Sequence, residues 1–295
     1  MGDKTTIATS ATRPLEGKLG IISGASRGIG AAVAHNLASK GCSLILNYTS
    51  ASSAEQTATL ASTLSSTHGI TAVPVRADVS GEAGCAAIIA AAQAARPEKL
   101  QVDVLINNAA VTVKSYLGSI DADEFARVYK TNVLGPILLT QAALPFLPHD
   151  RSGRIVNMSS VVNSQGMVGY SVYGGSKGAL EAMTRVWARE LAERATVNTV
   201  NIGPTMTDMY LGVPPELLKE VLESWMPACP LSAVRDGDTE QMKTFAQILG
   251  GRPGYVEEVA GVVGMLCLPE AGWTTGGLNR QDGAVAKRPA IQKRY

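Results

Sequence analysis

The chain has 295 residues, of which 45% are hydrophobic and 17% charged, a balance typical of one globular core. Its 26 basic and 25 acidic residues leave a formal net charge of +1, and no stretch forms a basic stripe, so a nucleic-acid partner is not expected. Four widely spaced cysteines and three scattered histidines form neither a CxxC pair nor an HExxH motif, which argues against a metal site and a disulfide framework.

Residues 1–16 are polar and rich in threonine and serine, and we expect a flexible leader before a single domain over residues 17–295. The leader lacks the continuous apolar core that a signal peptide requires. No apolar run elsewhere reaches the roughly 18–20 residues of a membrane span. These features favour a cytoplasmic protein without membrane contact, while a weak targeting role for the leader stays open.

Short apolar runs alternate with alanine-rich helical stretches along the chain. The predicted strands are 19–23, 43–47, 72–76, 102–106, 154–158, 196–200 and 278–281. The predicted helices are 31–39, 53–65, 82–95, 121–147 (with a break near Gly135 and Pro136) and 173–193. This alternation predicts an α/β fold with one doubly wound parallel sheet of about seven strands and helices on both faces.

Residues 207–257, here named the lid segment, interrupt this alternation. They contain two helical patterns, 215–225 and 238–249, and apolar side chains such as Met209, Leu217 and Trp225. Because excursions at the carboxyl edge of a parallel sheet commonly cover the substrate, we expect a helical substrate lid over a mostly apolar, bulky substrate. A surface insertion without substrate contact is the alternative.

A glycine-rich turn, SGASRGIG, follows the first predicted strand and precedes a predicted helix. Its glycines permit a tight turn and let backbone N–H groups approach a pyrophosphate at the helix N-terminus. The spacing GxxxGxG is moderate evidence by itself, since glycine turns after strands are common. The candidate cofactor contacts in this loop are Gly24, Ser26, Arg27, Gly28, Ile29 and Gly30.

The residues after the second predicted strand carry hydroxyl groups and no carboxylate before Glu55. A site for NAD(H) usually places an acidic side chain here, whereas a 2′-phosphate is repelled by a carboxylate and accepted by hydroxyls and arginine. We therefore expect NADP(H) as cofactor, with Arg27 near its 2′-phosphate. The other candidates, for which a plain polar loop is the alternative, are Tyr48, Thr49 and Ser50.

Tyr173 and Lys177 lie four residues apart in a predicted helix, which places them on one face, one turn apart. A nearby ammonium group favours the phenolate, so we expect it to lower the pKa of Tyr173 from about 10 toward neutrality. Such a phenol is a usable general acid or base for an alcohol/ketone pair. The pair alone is weak evidence, because this spacing arises by chance in many helices.

Several motifs in a fixed order supply the context for this pair, because the chain resembles the short-chain dehydrogenase/reductase family over roughly residues 18–283. The matching pieces are the glycine loop 24–30, residues 77–79, 107–110, Asn132, Ser160, Tyr173, Lys177, Gly203 with Thr207, 275–276 and 282–283. The resemblance implies a Rossmann-type fold. It also implies a homo-oligomer, commonly a tetramer, that pairs through helices 121–147 and 173–193.

The resemblance implies a role for each matching residue. Tyr173 would protonate the carbonyl oxygen, Ser160 would polarise that oxygen, and Lys177 would hold the nicotinamide ribose. Asn132 would bind a water that links Lys177 to solvent. Further cofactor contacts would come from Asp78, Val79, Asn108, Ala109, Thr205 and Thr207.

Alternatives for three of these residues stay open. Asp78 would simply cap the following helix, Asn132 would bond to its own backbone, and Ser159 would replace Ser160. The sequence also departs from the family pattern at Ala110, where glycine is usual, and at Pro204, which follows Gly203 instead of preceding it. The displaced proline makes the transfer of roles to the threonines beyond it less secure.

The leading functional hypothesis is NADPH-dependent reduction of a ketone to a secondary alcohol in a biosynthetic, secondary-metabolite-like pathway. Two enzyme alternatives are a 3-oxoacyl-carrier-protein reductase and an alcohol oxidation run in the opposite direction. Two further classes are a repurposed scaffold that catalyses a non-redox step with NADP bound, and a cofactor-sensing or binding protein that keeps the fold without turnover. The set of Asn132, Ser160, Tyr173 and Lys177 argues against a binding protein without turnover.

Overall fold

A seven-stranded parallel sheet with the order β3-β2-β1-β4-β5-β6-β7 forms the centre of the protein. The structure is a computed structural model and describes residues 13–211 and 229–281. The strands are β1 Leu19–Ile22, β2 Ser43–Tyr48, β3 Ala72–Arg76, β4 Val104–Asn107, β5 Gly153–Ser160, β6 Ala195–Ile202 and β7 Leu278–Gln281. The strand order reverses between β1 and β4, so a crevice opens at the carboxyl ends of these two strands.

Helices cover both faces of the sheet. They are α1 Gly28–Ser39, α2 Ala54–His68, α3 Glu82–Ala95, α4 Ala122–Tyr129, α5 Gly135–Ala143, α6 Val162–Gln165, α7 Ser171–Glu190, α8 Asp208–Leu211, α9 Glu240–Leu249 and α10 Val256–Leu266. One apolar core joins the sheet to α1, α2 and α10, and a second joins it to α3, α5 and α7. Strands β1, β4 and β5 are consequently buried along their whole length.

All seven predicted strands are present, with ends that differ by at most two residues. The predicted helix 121–147 is interrupted, as expected, before Gly135 and Pro136. Between α4 and α5 lies a π-helical turn, Lys130–Leu134, and a 3₁₀ turn, Leu144–Phe146, follows α5. Pro136 has no backbone N–H to donate within a helix, which explains a break at this position.

The sequence did not predict α10, which packs against α1 in the first core. A Cβ placed on Gly264 would lie 1.9 Å from the Oδ1 atom of Asn36. This glycine therefore allows the two helices to approach closely. The pattern of α10 is apolar nearly all round, so a periodic polar face, the usual signal of a helix, is absent.

Part of the predicted leader is packed against the domain. Leu15 is buried, and its backbone N–H donates to the carbonyl oxygen of Lys40 over 2.9 Å.

The predicted helix 238–249 is confirmed as α9, whereas residues 1–12 and the predicted helix 215–225 lie outside the described residues. In the described ranges, no helix combines the length and apolarity needed to cross a bilayer.

Candidate active site and cofactor cleft

The loop between β1 and α1 turns at glycines, in positions where only a residue without a Cβ atom fits. Gly24 and Gly28 have φ angles of +65° and +55°, in the left-handed region. A Cβ on Gly30 would lie 2.3 Å from the carbonyl oxygen of Gly24. No side chain caps the N-terminus of α1, and its first turn carries no acidic residue. These features fit a pyrophosphate bound by backbone N–H groups at this helix end.

Asn108 braces the glycine loop from β4. Its Nδ2 atom donates to the carbonyl oxygens of Ser23 and Gly24, both over 2.9 Å. The Ser23 hydroxyl oxygen accepts from the backbone N–H groups of Asn108 and Ala109, both over 3.0 Å. The side chain predicted to line the cofactor therefore shapes the loop that would hold it.

Asn47, which the sequence analysis missed, supports the same loop from β2. Its backbone oxygen accepts from the N–H of Ala25 over 2.7 Å, and its Nδ2 atom donates to the carbonyl oxygen of Ala77 over 2.9 Å. The side chain is buried, with 1% of its surface exposed. An asparagine near the end of an apolar predicted strand is the signal that could have pointed to such a brace.

The residues predicted near a 2′-phosphate lie on one edge of the cleft. The Thr49 hydroxyl donates to the carbonyl oxygen of Ala77 over 3.3 Å, and the hydroxyls of Ser50 and Ser52 hydrogen-bond to each other. Arg76, also missed in the sequence, donates from Nε to the carbonyl oxygen of Thr49 over 3.2 Å. It comes to this edge because β3 pairs with β2, placing it opposite Tyr48.

Asp78 is exposed beyond the end of β3. Its Oδ1 atom accepts from the backbone N–H of Ser80 over 2.9 Å, which forms a turn ahead of α3. The N-cap of α3 is Gly81, so the alternative of Asp78 as the helix cap is wrong. Val79 beside it is buried.

Tyr173 and Lys177 lie one turn apart near the N-terminus of α7, as predicted. The Lys177 Nζ atom is 5.8 Å from the centre of the Tyr173 ring and donates to the carbonyl oxygen of Met158 over 2.8 Å. Burial lowers the pKa of Lys177 to about 8. Burial also raises the pKa of Tyr173 to about 12, although a hydrogen bond with Ser160 acts in the opposite direction.

The predicted lowering of the Tyr173 pKa is therefore wrong. Removing the phenolate from water costs more here than the hydrogen bond with Ser160 returns. Lys177 is itself only 3% exposed, and its Nζ atom is directed to the end of β5.

Ser160, rather than Ser159, is the serine that contacts Tyr173. The Ser159 hydroxyl donates to the Oε1 atom of Glu181 over 2.7 Å. Neighbouring residues of a strand point to opposite faces, which separates the two hydroxyls. Asn201, not found from the sequence, donates to the carbonyl oxygen of Ser160 over 3.1 Å and to the same Oε1 atom over 2.6 Å.

Asn132 is fully buried in the π-helical turn and braces the segment after β4. Its Nδ2 atom donates to the carbonyl oxygen of Val111 over 2.8 Å and to the Ser176 hydroxyl over 3.1 Å. Its Oδ1 atom accepts from the N–H of Val111 over 2.9 Å. The side chain thus bonds to another loop and to α7, and the alternative of bonding to its own backbone is wrong.

The chain after β6 leads from the cleft into the lid segment. The hydroxyl of Thr205 donates to the carbonyl oxygen of Gly203 over 3.1 Å, and that of Thr207 donates to the carbonyl oxygen of Thr205 over 3.3 Å. A Cβ on Gly28 would lie 3.4 Å from the Cγ2 atom of Thr207, so this chain touches the glycine loop. Thr207 is thereby placed beside the proposed phosphate site.

Buried Arg252 anchors the far end of the lid segment. Its guanidinium lies 3.3 Å from Asp238 and 2.8 Å from Glu258, and it stacks over the ring of Tyr255 at 4.9 Å. A hydrogen bond from the backbone N–H of Arg235 holds the pKa of Asp238 below its usual range, and hydrogen bonds from the Arg252 guanidinium do the same for Glu258. The starts of α9 and α10 are tied together in this way.

An open groove of about 590 Å³ adjoins the N-terminus of α7. Among its lining residues, Leu117 is 93% exposed and Val168 is 69% exposed. Other lining residues are Ser115, Tyr116, Asn163, Met167, Tyr170 and Ser171.

Within residues 13–211 and 229–281, no group of three or more metal-binding side chains is present.

Known proteins resemble this chain over nearly its whole length. L-xylulose reductase of Aspergillus niger is 48% identical and covers 93% of this chain and 99% of its own. L-xylo-3-hexulose reductase of Hypocrea jecorina is also 48% identical, over 92% of this chain and 98% of its own. The crystal structure of a blue fluorescent protein from a metagenomic library, in complex with NADPH, has a TM-score of 0.78 and 32% identity, covering 92% of this chain and 99% of that one.

The family model for short chain dehydrogenase matches residues 18–216, which include the glycine loop and the Tyr173–Lys177 pair. The parallel sheet with helices on both faces confirms the Rossmann-type fold that the sequence predicted. This chain therefore belongs to the short-chain dehydrogenase family, and it is an oxidoreductase that interconverts a ketone and an alcohol with a nicotinamide cofactor.

Proposed function

We propose that this protein reduces a small polyhydroxylated ketone, a ketose, to the corresponding alcohol with NADPH. The observation that carries the proposal is the 48% identity, over nearly the whole of both chains, with two reductases whose names specify a ketopentose and a ketohexose. The NADPH complex of the similar solved structure agrees with the cofactor expected from the sequence. The hydroxyl-rich edge at Thr49 and Ser50 supports it too, since no carboxylate stands there.

Each residue of the cleft has its own role in the proposed reaction. NADPH supplies the hydride that the carbonyl carbon accepts. The Tyr173 hydroxyl donates the proton to the carbonyl oxygen, and the Ser160 hydroxyl holds that oxygen by a hydrogen bond. Lys177 holds the ribose hydroxyls and adds positive charge beside the phenol. The glycine loop and the N-terminus of α1 bind the pyrophosphate, while Arg27 and Arg76 bind the 2′-phosphate.

The ionisation of the site favours reduction near neutral pH. Burial raises the pKa of Tyr173 to about 12, so its phenol is protonated and ready to donate. Burial lowers the pKa of Lys177 to about 8, so the ammonium group persists at neutral pH. A protonated phenol beside a cation is the arrangement that a general acid for a carbonyl oxygen needs.

A mostly apolar ketone is the second candidate substrate, as the sequence predicted. Exposed Leu117 and Val168 on the groove beside α7 favour it. A ketose instead offers several hydroxyls to polar groups such as Ser115, Asn163 and Ser171 in the same groove. The 3-oxoacyl-carrier-protein reductase and the non-redox scaffold stay alternatives for the test that follows.

The test is a substrate panel in which the consumption of NADPH is followed by its absorbance. We expect turnover with ketopentoses and ketohexoses, and loss of about three or more orders of magnitude in kcat for Tyr173→Phe, because the proton donor is removed. Met265→Ala, at an exposed position of α10 outside the lid segment, is the control and is expected to retain activity. Turnover with aliphatic ketones or 3-oxoacyl thioesters, but with no ketose, would contradict the ketose proposal. Tight NADPH binding without any turnover would support a scaffold.

We also propose that the protein is a homo-oligomer, with a tetramer as the family expectation, and that it works in the cytoplasm. Exposed apolar residues on the helices expected to pair support association: Phe125 is 44% exposed, Leu134 40% and Val186 53%. Cys42, Cys85 and Cys267 are buried thiols outside any disulfide, which suits a reducing compartment. A role in secondary metabolism stays a prediction.

A further inference from the structure

An ion pair joins the glycine loop to the first turn of the lid segment. The Arg27 Nε atom lies 3.3 Å from the Oδ2 atom of Asp208, and the two side chains are 61% and 70% exposed. Arg27 is the N-cap residue of α1, and Asp208 is the first residue of α8. The pair therefore connects the segment proposed to bind the cofactor phosphates with the segment proposed to cover the substrate.

The backbones of the two segments also meet beside this pair. Thr207, directly before Asp208, is the neighbour that a Cβ on Gly28 would approach to 3.4 Å. The Thr207 hydroxyl oxygen accepts from the N–H of Tyr210 over 3.3 Å, which braces the first turn of α8. The Asp208 carboxylate is thus carried by a turn that lies against the glycine loop, and its position depends on that turn.

Arg27 has one guanidinium group and two anionic partners that compete for it. A guanidinium binds carboxylates and phosphates with the same planar set of donors. The proposed function places the cofactor 2′-phosphate at Arg27, and the structure places Asp208 there. NAD(H) carries a hydroxyl in place of the 2′-phosphate, so it does not compete with the carboxylate for this side chain.

We propose that Asp208 moderates the preference for NADP(H) over NAD(H) by competing with the 2′-phosphate of NADP(H) for Arg27. NADP(H), but not NAD(H), then breaks the ion pair between the glycine loop and the first turn of the lid segment as it binds. The inference rests on the proposed role of Arg27. The apparent Kd of NADP(H) equals the intrinsic Kd divided by the fraction of molecules in which Asp208 does not hold Arg27. Because exposed ion pairs are weak, the expected factor is about two- to sixfold.

Equilibrium titrations that need no turnover test this proposal. The Kd values of NADPH and NADH are measured from the change in nicotinamide fluorescence. Asp208→Asn is expected to tighten NADPH about two- to sixfold and to leave NADH unchanged. This gain in NADPH affinity is expected to become smaller as KCl is added, because salt screens exposed charges. Asp123→Asn removes an exposed carboxylate in the first turn of α4 and is the matched control, expected to change neither affinity.

The Arg27→Gln background identifies the cause of any effect. In that background, adding Asp208→Asn is expected to leave the Kd of NADPH unchanged. A gain in NADPH affinity that persists there overturns the competition. An unchanged or weaker NADPH affinity in the single Asp208→Asn variant overturns it as well. If Arg27→Gln leaves the preference for NADPH over NADH intact, then the role of Arg27 itself is wrong and the proposal falls with it. If instead Arg27→Gln lowers that preference and Asp208→Asn has no effect, only the competition is wrong.

Discussion

At the residue scale, burial controls the ionisation of the two central side chains more strongly than their mutual proximity does. Lys177 is 3% exposed, and its pKa is lowered to about 8, while the pKa of Tyr173 is raised to about 12. Both shifts favour the neutral form, which is the effect of desolvation. The donor to a ketone is thereby kept protonated, and the nearby charge is retained only below a pH of about 8.

The Lys177 shift predicts a pH dependence of stability. The folded-state pKa lies below the unfolded value of 10.5, so between pH 8 and 10 the unfolded chain binds more protons and stability rises with pH. Urea unfolding of the wild type and of Lys177→Met at pH 8 and pH 10 measures this difference. We expect the wild type to gain roughly 2 kcal/mol relative to the variant over this interval. An equal pH response in both proteins would show that Lys177 is not desolvated.

At the element scale, glycines have different roles in the glycine loop and in α10. A Cβ on Gly30 would lie 2.3 Å from a backbone oxygen, which cannot move aside without reshaping the loop. Gly261 in α10 has no atom within 4 Å of such a Cβ, so added bulk meets open space. The same substitution is therefore harmful in one helix and harmless in the other.

This contrast predicts opposite outcomes for two matched variants. Gly30→Ala is expected to weaken NADPH binding by at least about tenfold, because the turn that brings N–H groups to the pyrophosphate is displaced. Gly261→Ala is expected to raise stability by about 0.5–1 kcal/mol, since alanine favours a helix, and to leave the Kd unchanged. Titration and thermal unfolding of both variants provide the measurement. Normal NADPH affinity in Gly30→Ala would exclude this loop as the phosphate site.

At the scale of the whole molecule, the proposed association concerns the faces of α4 and α7. These helices pack on each other, since a Cβ on Gly175 would lie 2.7 Å from the Tyr129 hydroxyl. Phe125 stacks on Tyr129 with ring centres 4.3 Å apart, yet Phe125 keeps 44% of its surface exposed. Phe125 and Val186 thus expose apolar surface on the helices that are expected to pair. Such exposed apolar surface is consistent with an oligomer interface.

Val186→Glu is expected to dissociate the proposed oligomer, because burying a carboxylate in an apolar interface is unfavourable. Light scattering coupled to size-exclusion chromatography should then give a smaller molar mass than for the wild type. Val234→Glu is the control, because Val234 has a similar exposure of 42% but lies in the lid segment. The same mass for wild type and Val186→Glu would remove these helices as the interface.

The amino-acid sequence by itself determined the sheet, the glycine loop and the Tyr173–Lys177 pair, because their signals are local. Strand alternation, turn glycines and helical spacing act over a few residues. Tertiary structure decided the rest. It desolvated the Tyr173 hydroxyl and so reversed the expected pKa shift, drew Asn108 and Asn132 into bracing roles, and set Asp208 against Arg27. Desolvation and long-range pairing depend on which distant segments meet, and no local pattern records that.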